Sequence, residues 1–122
     1  MEHKIKKILV IEDNEEIQKV VKRSLEFTLK GRPKIFLASD GQIGIEVFDA
    51  NSKSIDIVIT DMDMPRRDGL EVIDHIKRKG YKTPIILISG RMQREGEHKP
   101  DLFLPKPFTV QQLKNAVESL LP

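Results

Sequence analysis

Ile57-Val58-Ile59-Thr60-Asp61-Met62-Asp63-Met64-Pro65 is an apolar, β-branched run that ends abruptly in a carboxylate, with a proline four residues further on. Such a run suits a parallel strand buried on both faces, where the side chains before Asp61 fill a core between covering helices. Asp61 then stands where the strand leaves the sheet, at the carboxyl edge where open α/β sheets place their ligands. A carboxylate set against that much apolar surface is costly unless a metal, a cation or a covalent bond compensates it. Asp61 is therefore the candidate reactive group.

Upstream, Ile5 to Ile11 reads as a first strand with Ile8-Leu9-Val10-Ile11 as its core. It ends at Glu12-Asp13, and Asn14 is a good N-cap for the helix after it. Ile17, Val20, Val21 and Leu25 recur at helical spacing from Glu15 to about Leu29, and Gly31 and Pro33 stop that helix. Ile35-Phe36-Leu37 is a short second strand, and Asp40-Gly41 turns into a helix carrying Ile45, Val47 and Phe48. The central strand is expected over Ile55 to Thr60.

Downstream, Asp68-Gly69 opens a helix with Leu70, Val72, Ile73 and Ile76 on its apolar face, ending at Gly80. Pro84 precedes a fourth strand, Ile85-Ile86-Leu87-Ile88, which runs into Ser89-Gly90. Leu102-Phe103-Leu104 is a fifth, closed by Pro105-Lys106-Pro107. Thr109 and Gln112 have capping-box spacing ahead of a last amphipathic helix with Leu113, Ala116, Val117, Leu120 and Leu121. Strands alternating with helices in units of this length imply a parallel sheet with right-handed crossovers. Parallel strands share one carboxyl edge, so Glu12, Asp13, Asp61, Ser89 and Lys106 should crowd one rim. Arg91 to Pro100 breaks the pattern, because Met92 is its only apolar side chain and Gly96 and Pro100 disfavour a long helix. A turn or two of helix at most is expected there.

The totals narrow the class. With 122 residues, 39% hydrophobic and 33% charged, the chain suits one domain over residues 1–122 that builds a core and stays soluble. A net charge of +2, mixed in sign along the chain, gives no reason to expect direct nucleic-acid binding. Without cysteine there are no disulfides or thiolate metal sites. Met1-Glu2-His3-Lys4 leads into a strand with no signal-peptide pattern, and no apolar run would span a membrane.

Carboxylates gathered on one rim repel one another and raise each other's pKa unless a cation intervenes. An all-oxygen set suits Mg²⁺, which takes one or two carboxylates, keeps waters and accepts phosphate oxygens. Zinc is disfavoured, since His3, His75 and His98 fall on a terminus, a helix and a loop and read as solvated surface residues. A carboxylate can accept a phosphoryl group to give an aspartyl phosphate, with charge neutralised by a metal and a positioned cation. Lys106 can supply that cation, and the Ser89 hydroxyl can bond a phosphoryl oxygen.

The ordered set Glu12-Asp13, Asp61-Met62-Asp63-Met64-Pro65 with Asp68-Gly69, Ser89-Gly90 and Lys106-Pro107-Phe108 resembles the receiver domain of two-component response regulators over nearly the whole chain. The resemblance implies a flavodoxin-like fold, a doubly wound five-stranded parallel sheet in the order 2-1-3-4-5. It implies that Asp61 takes phosphate from a histidine kinase or a histidine phosphotransfer domain. Asp13 and Asp61 would bind Mg²⁺ directly (Mn²⁺ substituting), Glu12 through water, and Asp63 through its backbone carbonyl. Ser89 and Lys106 would hold the phosphoryl group, Ser89 and Phe103 would switch, and Asp63 and Arg91 would tune phosphate lifetime. A cis Lys106–Pro107 bond, a cytoplasmic location, a monomer or weak dimer and an effector partner are further implications. Two departures stand out: the Ser89-to-Lys106 interval is short, implying a shortened or missing fourth helix, and Phe103 lacks a hydroxyl.

Plainer readings stand beside these. Glu12 and Asp13 also suit the dipole of the following helix, Ser89 a strand-end cap, and Phe103 simple core packing, which is the stronger reading of that residue. Asp61-x-Asp63 also resembles the aspartate pair of haloacid-dehalogenase-type phosphatases, and Glu12 with Asp61-x-Asp63 a toprim-like acidic set. A receiver that binds partners without phosphorylation is a third alternative. No output domain is expected within these residues, and both a stand-alone receiver and a piece of a hybrid kinase or longer regulator fit the chain.

Overall fold

The computed structural model describes residues 5–90 and 98–121. Five strands, β1 (Lys7–Ile11), β2 (Lys34–Ala38), β3 (Ile57–Asp61), β4 (Ile85–Ser89) and β5 (Leu102–Pro105), form one sheet in the order β2-β1-β3-β4-β5. Every neighbouring pair is parallel. Helices α1 (Glu15–Thr28), α2 (Gly41–Asn51), α3 (Gly69–Arg78) and α4 (Val110–Leu120) connect and cover the strands. This is the expected doubly wound architecture, with β1 and β3 adjacent at the point where strand order reverses.

Alternation along the strands divides the core in two. Ile8 and Val10 of β1, Ile57 and Ile59 of β3, and Ile86 and Ile88 of β4 pack against Val21 and Leu25 of α1 and Leu113 and Val117 of α4. Leu9, Ile11, Val58, Ile85 and Leu87 point the other way, onto Ile45 and Phe48 of α2 and Val72, Ile73 and Ile76 of α3. Both faces are covered, which is why β3 and β4 are buried at every residue and read as continuous apolar runs. Asn14, Asp40, Asp68 and Thr109 cap the four helices, the last two with complete capping boxes.

The departures are local. Ile5 is exposed and lies outside β1, whose first paired residue is Lys7 opposite Lys34. Ile55 is buried but precedes β3, because its N–H closes a turn onto the Asn51 carbonyl. Val20, expected on the apolar face of α1, is 59% exposed, because Ile17, Val21 and Leu25 alone trace the stripe that meets the sheet. His75 and His98 are half-buried rather than freely solvated: His75 Nε2 lies 2.9 Å from Asp49, and His98 Nδ1 3.1 Å from Asp74. Most of the segment expected to carry a shortened fourth helix, residues 91–97 with Arg91, lies outside the described residues, and residues 98–100 contain no helix.

Candidate functional site

The parallel register brings the expected residues to one rim. Ile11 pairs with Thr60, Asp61 with Ile88 and Ser89 with Pro105, so Glu12, Asp61, Ser89 and Lys106 end four adjacent strands. Backbone bonds continue the ladder past these ends: Glu12 N–H to the Ala38 carbonyl at 3.0 Å, Met62 N–H to Ile88 at 2.9 Å, and Lys106 N–H to Ser89 at 2.9 Å. The backbone that carries these side chains is thus fixed by the sheet's own hydrogen bonds.

Glu12 and Asp61 are 5% and 6% exposed, whereas Asp13, the first residue to turn outward, is exposed. One carboxylate oxygen from each of Glu12, Asp13 and Asp61 lies within 4.8 Å of the others. Lys106 Nζ lies 2.8 Å from Asp61 Oδ1. Burial, then the neighbouring Asp61 charge, pushes the Glu12 carboxyl up to about 7. Burial works against the Lys106 ammonium, but its hydrogen bond to Asp61 and the Asp61 charge outweigh that and raise its pKa. Lone carboxylates this close destabilise one another, and one lysine does not balance three of them. The donor set, all oxygen and held apart from His75 and His98, fits a hard divalent cation such as Mg²⁺.

Ser89 is buried at the end of β4, next in the rim to Asp61 and Lys106. The Lys106–Pro107 peptide is cis, as the resemblance implied. Asp63 is exposed in the loop after β3. Phe103 is half-buried on β5 and, among the described residues, belongs to neither apolar cluster. Three supporting interactions have no signature in the sequence. Gln18 Nε2 reaches the carbonyls of Glu12 and Ala38, both at 3.2 Å, and ties α1 to the ends of β1 and β2. Thr60 Oγ1 donates to the Asp61 carbonyl at 3.0 Å. Arg66 bonds Asp40, and its guanidinium holds that carboxyl below the usual range. Gln18 and Arg66 meet partners 20 and 26 residues away, beyond any local pattern.

Comparison with known proteins agrees with this geometry. The model of the response regulator receiver domain matches residues 8–118. Response regulator MprA of Mycobacterium sp. (strain KMS) is 32% identical over 120 residues, covering 94% of this chain and 50% of its own. Transcriptional regulatory protein CpxR of Escherichia coli (strain K12) is 28% identical over 120 residues, 94% of this chain and 49% of its own. A response regulator receiver domain protein from Clostridium thermocellum superposes with a TM-score of 0.83 at 32% identity, over 95% of this chain and 94% of that one. The receiver domain of the hybrid histidine kinase CckA gives 0.79 at 27% identity, over 95% and 99%. The chain spans about half the length of the curated relatives it matches. It belongs to the receiver domain family of two-component response regulators, a family of signalling domains.

Proposed function

We propose that Asp61 is the phosphoacceptor of this receiver, modified in a Mg²⁺-dependent reaction by a phosphohistidine donor, either a histidine kinase or a histidine phosphotransfer domain. The observation that carries this reading is the buried Asp61 carboxylate, 2.8 Å from Lys106 and clustered with Glu12 and Asp13. Asp13 and Asp61 would hold the ion directly, Glu12 through water, and Asp63 by its backbone carbonyl; Mn²⁺ would substitute. When bound, the cation offsets charge on the carboxylates and on the phosphoryl oxygens.

The remaining work falls to the chain. An Asp61 carboxylate oxygen forms the new P–O bond as the P–N bond to the donor imidazole breaks, and the imidazole keeps the electron pair. Lys106, already paired with Asp61, is placed to neutralise a phosphoryl oxygen, and the Ser89 hydroxyl to hydrogen-bond another. Ser89 and Phe103 would then shift and alter partner binding. The domain turns over no independent metabolite, and water attack on the acyl phosphate resets it. One domain over residues 1–122, acting in the cytoplasm as a monomer or weak dimer on an effector, completes the reading.

The donor has a surface to approach. Ile17, Val20, Val21, Pro107 and Phe108 line an apolar groove that includes Lys106, so a protein seated there reaches the rim. Exposed Phe27 and Val110 extend this apolar character along α1 and the start of α4.

Incubation with acetyl phosphate and Mg²⁺ is expected to give a single acid-stable, base-labile phosphoryl adduct by mass spectrometry, lost in Asp61→Asn. No adduct at saturating Mg²⁺, or one on another residue, would overturn the assignment. Multiple turnovers on a generic phosphomonoester would favour a phosphatase instead.

A further inference from the structure

We propose that Arg66 and Asp40 form a latch that holds the loop between β3 and α3 in its metal-binding shape, which makes both of them positioning residues for the site. The inference rests on the reading of Asp61, Asp13 and the Asp63 carbonyl as Mg²⁺ ligands, and extends it to residues that touch neither ion nor phosphate.

The loop is closed at its base, where Gly69 N–H donates to the Met62 carbonyl at 2.8 Å. Within it, Arg67 N–H donates to the Pro65 carbonyl at 2.7 Å across a single residue, which is a γ-turn centred on Arg66. Arg66 has φ +65°, in the left-handed region that a residue with a Cβ avoids. Such a conformation persists when the surroundings impose it.

The surroundings here are the N-terminus of α2. Arg66 donates from Nε to Asp40 Oδ2 at 2.9 Å and from Nη2 to Asp40 Oδ1 at 3.3 Å. Asp40 cannot swing away freely, because Oδ1 also accepts the Ile43 N–H at 2.8 Å as the cap of α2. Next along the chain, Arg67 Nε donates to Gln42 Oε1 at 2.9 Å. Gly41 lies so close beneath that a Cβ there would collide with the Arg67 carbonyl. Two successive arginines thus anchor the loop to α2 by side chain, and one of them by backbone contact as well.

An exposed ion pair by itself contributes little to stability. This pair instead holds a strained turn three residues after Asp63. A ligand that is a backbone carbonyl has no rotamer with which to adjust, so its placement depends on the shape of its loop. Groups that support metal ligands from behind set metal affinity, and their loss typically costs about 10–100-fold.

Two variants test the latch by Mg²⁺ calorimetry on the whole chain, alongside urea unfolding without metal. Asp40→Asn keeps a side-chain oxygen for the α2 cap while removing the charge that Arg66 grips. Arg66→Gly removes the grip and relieves the left-handed strain. Each is expected to weaken Mg²⁺ binding about tenfold, with metal-free stability maintained in Asp40→Asn and maintained or raised in Arg66→Gly. The double variant should bind no more weakly than the weaker single one, as expected for one interaction. Wild-type Mg²⁺ affinity in both variants, or losses that follow metal-free stability, would overturn the latch and leave the Asp61 assignment standing. A wild-type chain that neither binds Mg²⁺ nor gains the adduct would overturn both.

Discussion

At Glu12 the folded protein holds a proton that an ordinary glutamate has already lost. Its carboxyl titrates at about 7 against 4.5 for an unperturbed group, chiefly because it is buried and secondly because Asp61 is beside it. The folded-state pKa is the higher one, so the stabilising contribution is full below pH 4.5, declines as pH rises, and is gone above about 7. Metal-free stability should therefore fall across that window, and Glu12→Gln should flatten the profile by urea unfolding. A charged Glu12 favours Mg²⁺ binding, so affinity should weaken as pH falls below about 7 in wild type and weaken less steeply in the variant. Lys106 acts at the same scale. With its partner 2.8 Å away, Lys106→Ala should slow phosphorylation by acetyl phosphate roughly tenfold or more, because a cation aimed at developing charge is lost. Asp63→Ala and Arg91→Ala are expected to change the rate at which the adduct hydrolyses; equal rates in both variants and wild type would remove their tuning role.

At the scale of elements, the caps join chemistry to architecture. Thr109 begins α4 three residues after Lys106, and its side chain and that of Gln112 satisfy each other's backbone N–H groups. Thr109→Ala should lower the unfolding free energy by about 1 kcal/mol in urea titration, with the acetyl phosphate adduct retained. Gly69 is a more sensitive point. A Cβ there would come within 2.6 Å of both the Asp61 carbonyl and Leu87 Cδ1, so α3 docks directly beneath the backbone of Asp61. Gly69→Ala should cost about 1–3 kcal/mol and displace Asp61 as well, visible as weaker Mg²⁺ binding.

At the scale of the whole molecule, ion binding and folding are linked. A ligand that binds only the folded state stabilises it by about 2.7 kcal/mol at a hundredfold excess over its Kd. Thermal unfolding should therefore shift upward with Mg²⁺ in wild type and not in Asp13→Ala. The apolar groove beside Lys106 gives a second test. Val20→Glu, on an exposed position of α1, should slow transfer from a phosphohistidine protein donor while leaving the small-molecule reaction unchanged. Equal slowing with both donors would place the effect in the site rather than on the docking surface.

The amino-acid order by itself determined the elements and the rim. Uninterrupted β-branched runs such as Ile57–Thr60 are stable only between two covered faces, and parallel strands must deliver their terminal residues to one edge. Asp61, Asp13, Glu12 and Lys106 follow from that logic, as do the helix caps, which are local. The tertiary structure alone decided how exposed each face is and what stands behind the rim. Val20 keeps helical spacing yet faces outward, because burial depends on where α1 meets the sheet and not on the period of α1 itself. His75 and His98 found aspartates on neighbouring elements, and Arg66 found Asp40 across two loops. Such pairs are set by the closure of the fold: their partners are 24 to 26 residues apart, and nothing in the spacing of side chains along one element encodes which distant group will lie opposite.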